Sequence, residues 1–207
     1  MSALAELYQE NDFQSVLHAQ DIVTGIIYGV SMTPEIPMPE QWIGWTLANA
    51  DVMQDAAKME RIGDALMNAL ANTLQALAEH DLGCAATWEY DANSQSVNAP
   101  CQLFLVGLLL AHEQSQDVWQ SAWDKLPEVD KVEQANHLTH CLNMFSTFVD
   151  VDQALARAGE NADTLAQALP QIFTQLPSTL LQYNELSGLL GSYLPEQFAC
   201  FATADDD

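Results

Sequence analysis

His137-Leu-Thr-His140-Cys141 is the cluster in this 207-residue chain whose residue types and spacing best suit metal chemistry. On a helix, positions three and four apart share a face, so two imidazoles and a thiol would converge there. Zinc accepts such nitrogen and sulfur ligands in a tetrahedral set, completed by a fourth side chain or, in a catalytic site, by water. Cys101 or the pair His112-Glu113 could supply the fourth position. In the competing reading Cys141 belongs to an apolar stripe with Leu142, as a small core residue. His112-Glu113 opens like the helix of a zinc protease, but Gln116 stands where the second histidine of His-Glu-x-x-His is required.

Other chemistries lack their residues. A di-iron bundle needs Glu-x-x-His on facing helices, whereas Glu133 and His137 stand four apart. There is no glycine-rich phosphate loop and no Gly-x-Ser-x-Gly elbow. The cations are Lys58, Lys125, Lys131, Arg61 and Arg157 alone, so a phosphate substrate would meet few counter-charges. No cofactor and no catalytic residue is expected. The metal-dependent enzyme built on His137, His140 and Cys141 is the alternative to a non-enzymatic protein.

The elements that must position these residues read as helices. Ala3 to Tyr8 is a short helix with a break at Asn11-Asp12, and Ser15 to Val30 is the next. Gly25 and Gly29 share one face of it, as if a second helix approaches closely. Thr33-Pro-Glu-Ile-Pro-Met-Pro39 cannot be helical throughout, because each proline disfavours helix in the residue before it. Pro39 suits a first helical position, with Glu40 near the positive end of the dipole. From Asp55 to His80, Met59, Ile62, Leu66, Leu70, Leu74 and Leu77 recur at three- and four-residue spacing. That period fails between Asp81 and Ala99, where Thr87-Trp88-Glu89-Tyr90 alternates and allows one minor hairpin within 84–98.

Pro100 then starts a helix that is apolar all round from Leu103 to Leu110, the pattern of a buried centre. Trp119 and Trp123 give the following helix one aromatic face. A long segment from Val129 to Ala158 carries Leu138, Leu142, Phe145 and Val149 on one stripe and closes at Gly159. Leu169-Pro170, Leu176-Pro177 and Leu194-Pro195 each mark a helix start or a sharp bend, and the terminal Asp205-Asp206-Asp207 reads as frayed. The expectation is an all-α, multi-helical bundle of about eight to ten helices. It forms one domain over 1–207, with a possible subdivision into 1–126 and 127–207.

Charge narrows the partners. The chain carries 29 Asp plus Glu against 5 Lys plus Arg, a net of -24, yet its 49% hydrophobic content is ample for a core. Nucleic acid and anionic membranes, which recruit Lys and Arg, would be repelled. Direct nucleic-acid binding and membrane binding are therefore not expected; the acidity is read either as a solubilising or salt-adapted surface or as a face that docks on a basic protein surface. Met-Ser-Ala-Leu-Ala-Glu-Leu at the start lacks a basic n-region, and Leu103 to Ala111 is too short for a span of ~20 residues. The protein is expected in the cytoplasm. Its cysteines (Cys84, Cys101, Cys141, Cys200), with no CxxC pair, are expected to be reduced and mostly buried.

Gly25-Ile26-Ile27, the proline link and Pro39-Glu-Gln-Trp42 together resemble the N-terminal signature of the YecA/YgfB-like family of bacterial proteins. That signature has a Gly-Leu-Leu-like helix core followed by a Pro-Glu-Gln-Trp-like helix start. Cys101 to Trp119, with Phe104 and Gly107, is similar to a second family segment that leads to a tryptophan. The resemblance implies an all-helical domain without established catalytic residues and with an uncharacterised or regulatory role. Some members add a C-terminal Cys-rich zinc module; this chain ends Phe198-Ala-Cys200-Phe-Ala-Thr-Ala-Asp-Asp-Asp and lacks that motif. In the stiffened link, Ile36 and Met38, with Trp42 beyond them, are the candidate residues for a protein partner; the competing reading of Trp42, as of Trp45, is a core residue.

Overall fold

The structure is a computed structural model that describes residues 3–49 and 55–194. Helices dominate it: α1 (Ala3–Leu7), α2 (Asn11–Gln14), α3 (Gln20–Ser31), α4 (Pro39–Trp42), α5 (Ala56–Ala78), α6 (Ala99–Gln114) and α7 (Gln116–Lys125). They continue with α8 (Glu128–Val149), α9 (Val151–Ala158), α10 (Ala162–Thr174) and α11 (Leu176–Gly191). Among the described residues the one sheet is a hairpin of β1 (Tyr90–Asp91) and β2 (Ser96–Val97), antiparallel, with Tyr90 opposite Val97. The molecule is an all-α bundle with one minor hairpin, inside 84–98 as the failed helical period indicated.

Polar residues set the helix starts. Asp55 caps α5 by accepting from the Lys58 amide at 3.1 Å, and Asn98 caps α6 through the Cys101 amide. Such caps satisfy donors that a helix leaves unpaired. Pro39 opens α4, where the Gln41 side chain reaches back to the Met38 amide. Pro177 lies in the first turn of α11, the start expected there.

Several boundaries differ from the sequence reading. The helix expected from Ser15 begins at Gln20, because Leu17 forms a bridge with Leu47 and the His18 amide donates to the Thr46 carbonyl. The Val16 and Leu17 amides turn back to the Phe13 carbonyl, and the Val16 carbonyl accepts from the Ala48 amide, so the segment is held by a turn and a tertiary bridge before α3 starts. Asn11 opens the short α2 instead of breaking the chain. The long segment from Val129 to Ala158 divides at Asp150, which leaves the helical region (φ -146°, ψ 88°) and caps α9 through the Gln153 amide at 2.8 Å. An aspartate offers the backbone this alternative to continuing the helix. Gly159 ends α9 at φ 57°, the left-handed region that favours glycine.

Pro170 lies inside α10, which runs through it. The proline removes one backbone hydrogen bond, while its neighbours Leu169, Ile172 and Phe173 keep the helix packed on the core. Pro195, Cys200 and Asp205–Asp207 lie outside the described residues.

Buried side chains form two clusters. The first gathers α1, α2, α3, α4 and α5 around Phe13, Ile26, Trp42, Ile62 and Leu66. The second gathers α6, α7, α8, α10 and α11 around Phe104, Phe145, Phe148, Leu180 and Tyr183. Packing runs across residues 126 and 127, since Leu126 shares the second cluster with Phe104 and Leu176. Helix α6 sits between the clusters: Leu110 and Ala111 face the first, Leu105 and Leu108 the second.

The seam is the crossing of α3 and α6. A Cβ on Gly25 would collide with the Phe104 carbonyl, and one on Gly107 with the Ile22 carbonyl. The two contacts are reciprocal, since each glycine covers the carbonyl three residues before the other. Gly29 adds a third close approach, where a Cβ would lie 2.5 Å from that of Ala111. Among the described residues, no helix is long and apolar enough to cross a membrane.

Candidate functional site

Helix α8 carries His137, His140 and Cys141, but it does not bring them together as ligands. Cys141 is buried, its thiol directed at the Thr179 carbonyl of α11 at 3.8 Å. His137 and His140 are exposed and line an outer groove of about 410 Å³ with Gln134, Gln182 and Glu185. The stripe of Cys141, Phe145 and Phe148 turns inward, so the thiol follows the core while the imidazoles follow the surface. Among the described residues, no three His, Cys, Asp or Glu side chains are grouped to hold a metal ion. Burial pushes the Cys141 thiol up to about 11 and the Cys101 thiol up to about 12. Both therefore stay protonated at neutral pH in the metal-free protein, which makes them poor nucleophiles.

The proline link also splits. Met38 is 63% exposed, Ile36 is half-buried against the first cluster, and Trp42 is fully buried. Trp42 lies on the inward side of α4, so it supports the link from within and is not a surface contact. Its indole nitrogen is buried without a hydrogen-bond partner. Of the three candidates, Met38 alone presents a mostly solvent-facing apolar surface.

A different constellation lies where α6, α7, α8 and α11 meet. His112, at the end of apolar α6, places Nδ1 2.8 Å from the Tyr183 hydroxyl of α11. The imidazole packs edge-on to Trp119 at 5.0 Å between centroids, and Trp119 tilts against Tyr183 at 5.1 Å. Burial lowers the His112 pKa to about 4, so the ring is neutral at pH 7. Burial, with Cys141 nearby, holds the Tyr183 phenol well above its usual range. A general base works best with a pKa near the operating pH, and neither group meets that condition.

Beside this pair opens a cavity of about 340 Å³, lined by His112, Gln116, Asp117, Trp119, Gln120 and Trp123, with Leu138 of α8. Trp119 is 5% exposed and its indole N–H has no acceptor in the protein. The sequence reading singled out His112 as a failed protease motif and as a conceivable fourth zinc ligand, not as a partner of Tyr183. A lone histidine ending an apolar run was the available signal, but Tyr183 lies 71 residues away and no local pattern links them.

The surface charge is largely unpaired. Among the described residues the ion pairs are Lys58 with Asp12, Arg61 with Glu10 and Lys131 with Glu128. Arg61 donates to Glu10 through both terminal guanidinium nitrogens, at 2.6 and 3.2 Å, and lies 4.7 Å from the Phe13 ring centroid. Apolar residues also emerge amid acids at the start of α8, where Val129 is 84% and Val132 73% exposed.

No family model, no curated protein and no solved structure matches this chain.

Proposed function

We propose that this protein acts in the cytoplasm by binding another protein, as a non-enzymatic adaptor or regulatory factor that docks on a basic surface. The observation that carries this reading is the uncompensated acidity: 29 carboxylates against five Lys and Arg, with three ion pairs among the described residues. No Lys or Arg occurs between Arg61 and Lys125, or after Arg157. Such a field steers a basic partner and speeds its encounter. Apolar contacts such as Met38 would then hold the complex once formed.

We also read the chain as a divergent relative of the YecA/YgfB-like family. In support, the two segments that carry the resemblance pack on each other. Gly25 of the first covers the Phe104 carbonyl of the second, and Gly107 returns the contact at Ile22. Both family-like glycines thus have a physical task in one helix crossing.

The test is affinity capture from the native cell, followed by binding of the purified, identified partner at two salt concentrations. Exposed charges are screened over about 8–10 Å, so affinity should fall about tenfold or more between low and physiological salt. A partner whose binding ignores salt, or the absence of any saturable partner, overturns the reading.

A further inference from the structure

We infer that the cavity between α6, α7 and α8 is a receptor for one arginine side chain of a basic protein partner. The inference rests on the protein-binding reading above and names the point at which the partner is gripped. Trp123 is a half-buried indole lining the cavity, and a guanidinium over an indole face is attracted by the ring quadrupole. Asp117 lines the same cavity with an exposed carboxylate that can accept two guanidinium N–H groups.

Gln120 gives its amide nitrogen to Asp124 at 2.7 Å, which leaves its carbonyl oxygen as a further acceptor. His112, whose ring is neutral at pH 7, adds no positive charge against an incoming cation.

Charge and size both favour this occupant. Residues 111–134 hold six acids against Lys125 and Lys131, and Lys131 is already tied to Glu128. A cavity of about 340 Å³ is at the low end of ligand sites and suits one side chain better than a cofactor. Arginine is preferred to lysine because its flat guanidinium can stack and form paired hydrogen bonds together.

The test is a titration of the full chain with acetylated, amidated Gly-Arg-Gly, read by the indole N–H resonances of Trp119 and Trp123. Both resonances should shift and saturate. The same peptide with citrulline, the uncharged isostere of arginine, should bind about tenfold more weakly, and one with lysine about threefold. Trp123→Leu and Asp117→Asn should each weaken the arginine peptide about fivefold or more, while Asp163→Asn on α10 leaves it unchanged. Circular dichroism checks that Trp123→Leu still folds, and the exposed Asp117→Asn is the independent variant.

Equal binding of arginine and citrulline peptides overturns the inference. So do shifts spread over every acidic helix that neither cavity variant reduces. If Trp123→Leu binds a salt-sensitive basic partner as tightly as wild type, the cavity role falls and the acidic docking reading stands. If no basic partner exists but the peptide titration behaves as expected, the cavity is a cation receptor and the protein-docking reading falls.

Discussion

Helix α3 meets α6, and α8 meets α11, but the two contacts are built from opposite materials. In the first, glycines bring backbone onto backbone with no room for a single added carbon. In the second, large side chains hold the helices apart: Phe145 lies edge-on to Tyr183 at 5.6 Å, and the Cys141 thiol reaches the Thr179 carbonyl. Side chains that separate helices leave cavities at their edges; glycines leave none. The first contact therefore sets the architecture, and the second region has space for a ligand. The difference is between a joint with one solution and a packing that tolerates neighbours.

The sharpest way to break this comparison is to fill the seam. Gly107→Val should destabilise the fold by about 3 kcal/mol or more, or abolish it, because the new side chain must displace the Ile22 backbone. Gly25→Val should do the same at the Phe104 carbonyl. Gly63→Ala and Gly188→Ala are the controls, since nothing lies within 4 Å of a Cβ at either position. Each should be neutral or stabilising by up to about 1 kcal/mol. Urea unfolding measures all four, and a seam glycine as tolerant as Gly63 would contradict the model of the joint.

On the other side, acidity should loosen the His112 region. The native ring has a pKa of about 4 against 6.5 for the free side chain, so between those values the unfolded chain binds a proton that the native chain does not. Its contribution is fully present above pH 6.5 and is lost as pH falls towards 4. The complete linkage is about 3 kcal/mol, which solvent at the cavity mouth reduces to about 2. Because the many carboxylates titrate in the same range, the measurement is the difference between wild type and His112→Gln. A difference independent of pH between 7 and 4.5 would remove the buried, neutral histidine from the account.

Thiol labelling ranks the same two regions kinetically. Cys101, in the first turn of the seam helix α6, and Cys141, between α8 and α11, are both buried with raised pKa values. Both should react slowly in the native state and rapidly after denaturation, with half-buried Cys84 ahead of them, as read by mass mapping of each site. Cys141 labelling faster than Cys101 would indicate that the α8–α11 packing opens first; fast Cys101 would indicate a labile seam.

The smallest effect is expected at the link. Met38→Asp should change stability by less than about 0.5 kcal/mol, because the side chain is mostly in water. It should still weaken the complex if Met38 contacts the partner. Ile36→Asp puts a charge against the first cluster and should cost about 1–3 kcal/mol, so it is a stability probe and not a clean binding probe. Unchanged partner affinity in the folded Met38→Asp protein removes Met38 from the interface.

Periodicity alone was enough for the helical class, for α5 and for the buried centre at α6, because a 3.6-residue stripe is local information. The spacing of Gly25 and Gly29 was sufficient to expect a close helix approach, though not to name α6 as the partner or Gly107 as the reciprocal contact. The hairpin was legible as a failure of the helical period. The division at Asp150 was not, since a cap and a helix-interior aspartate look alike until the backbone chooses between them.

The candidate sites were less legible, for one physical reason. Residue type and spacing specify which side chains share a helix face, but not whether that face meets the core or water. His137, His140 and Cys141 satisfy the spacing for a shared ligand set, yet α8 turns the thiol inward and leaves the imidazoles outside. Trp42 follows a surface-like proline link, yet burial of its large ring directs it into the first cluster. The sequence by itself determined the all-helical class, the surplus of carboxylates and the close glycine packing. Tertiary structure alone decided which glycine faces which carbonyl, and which histidine meets a tyrosine 71 residues away. Those choices depend on the mutual rotation of packed helices, a quantity that no local pattern encodes.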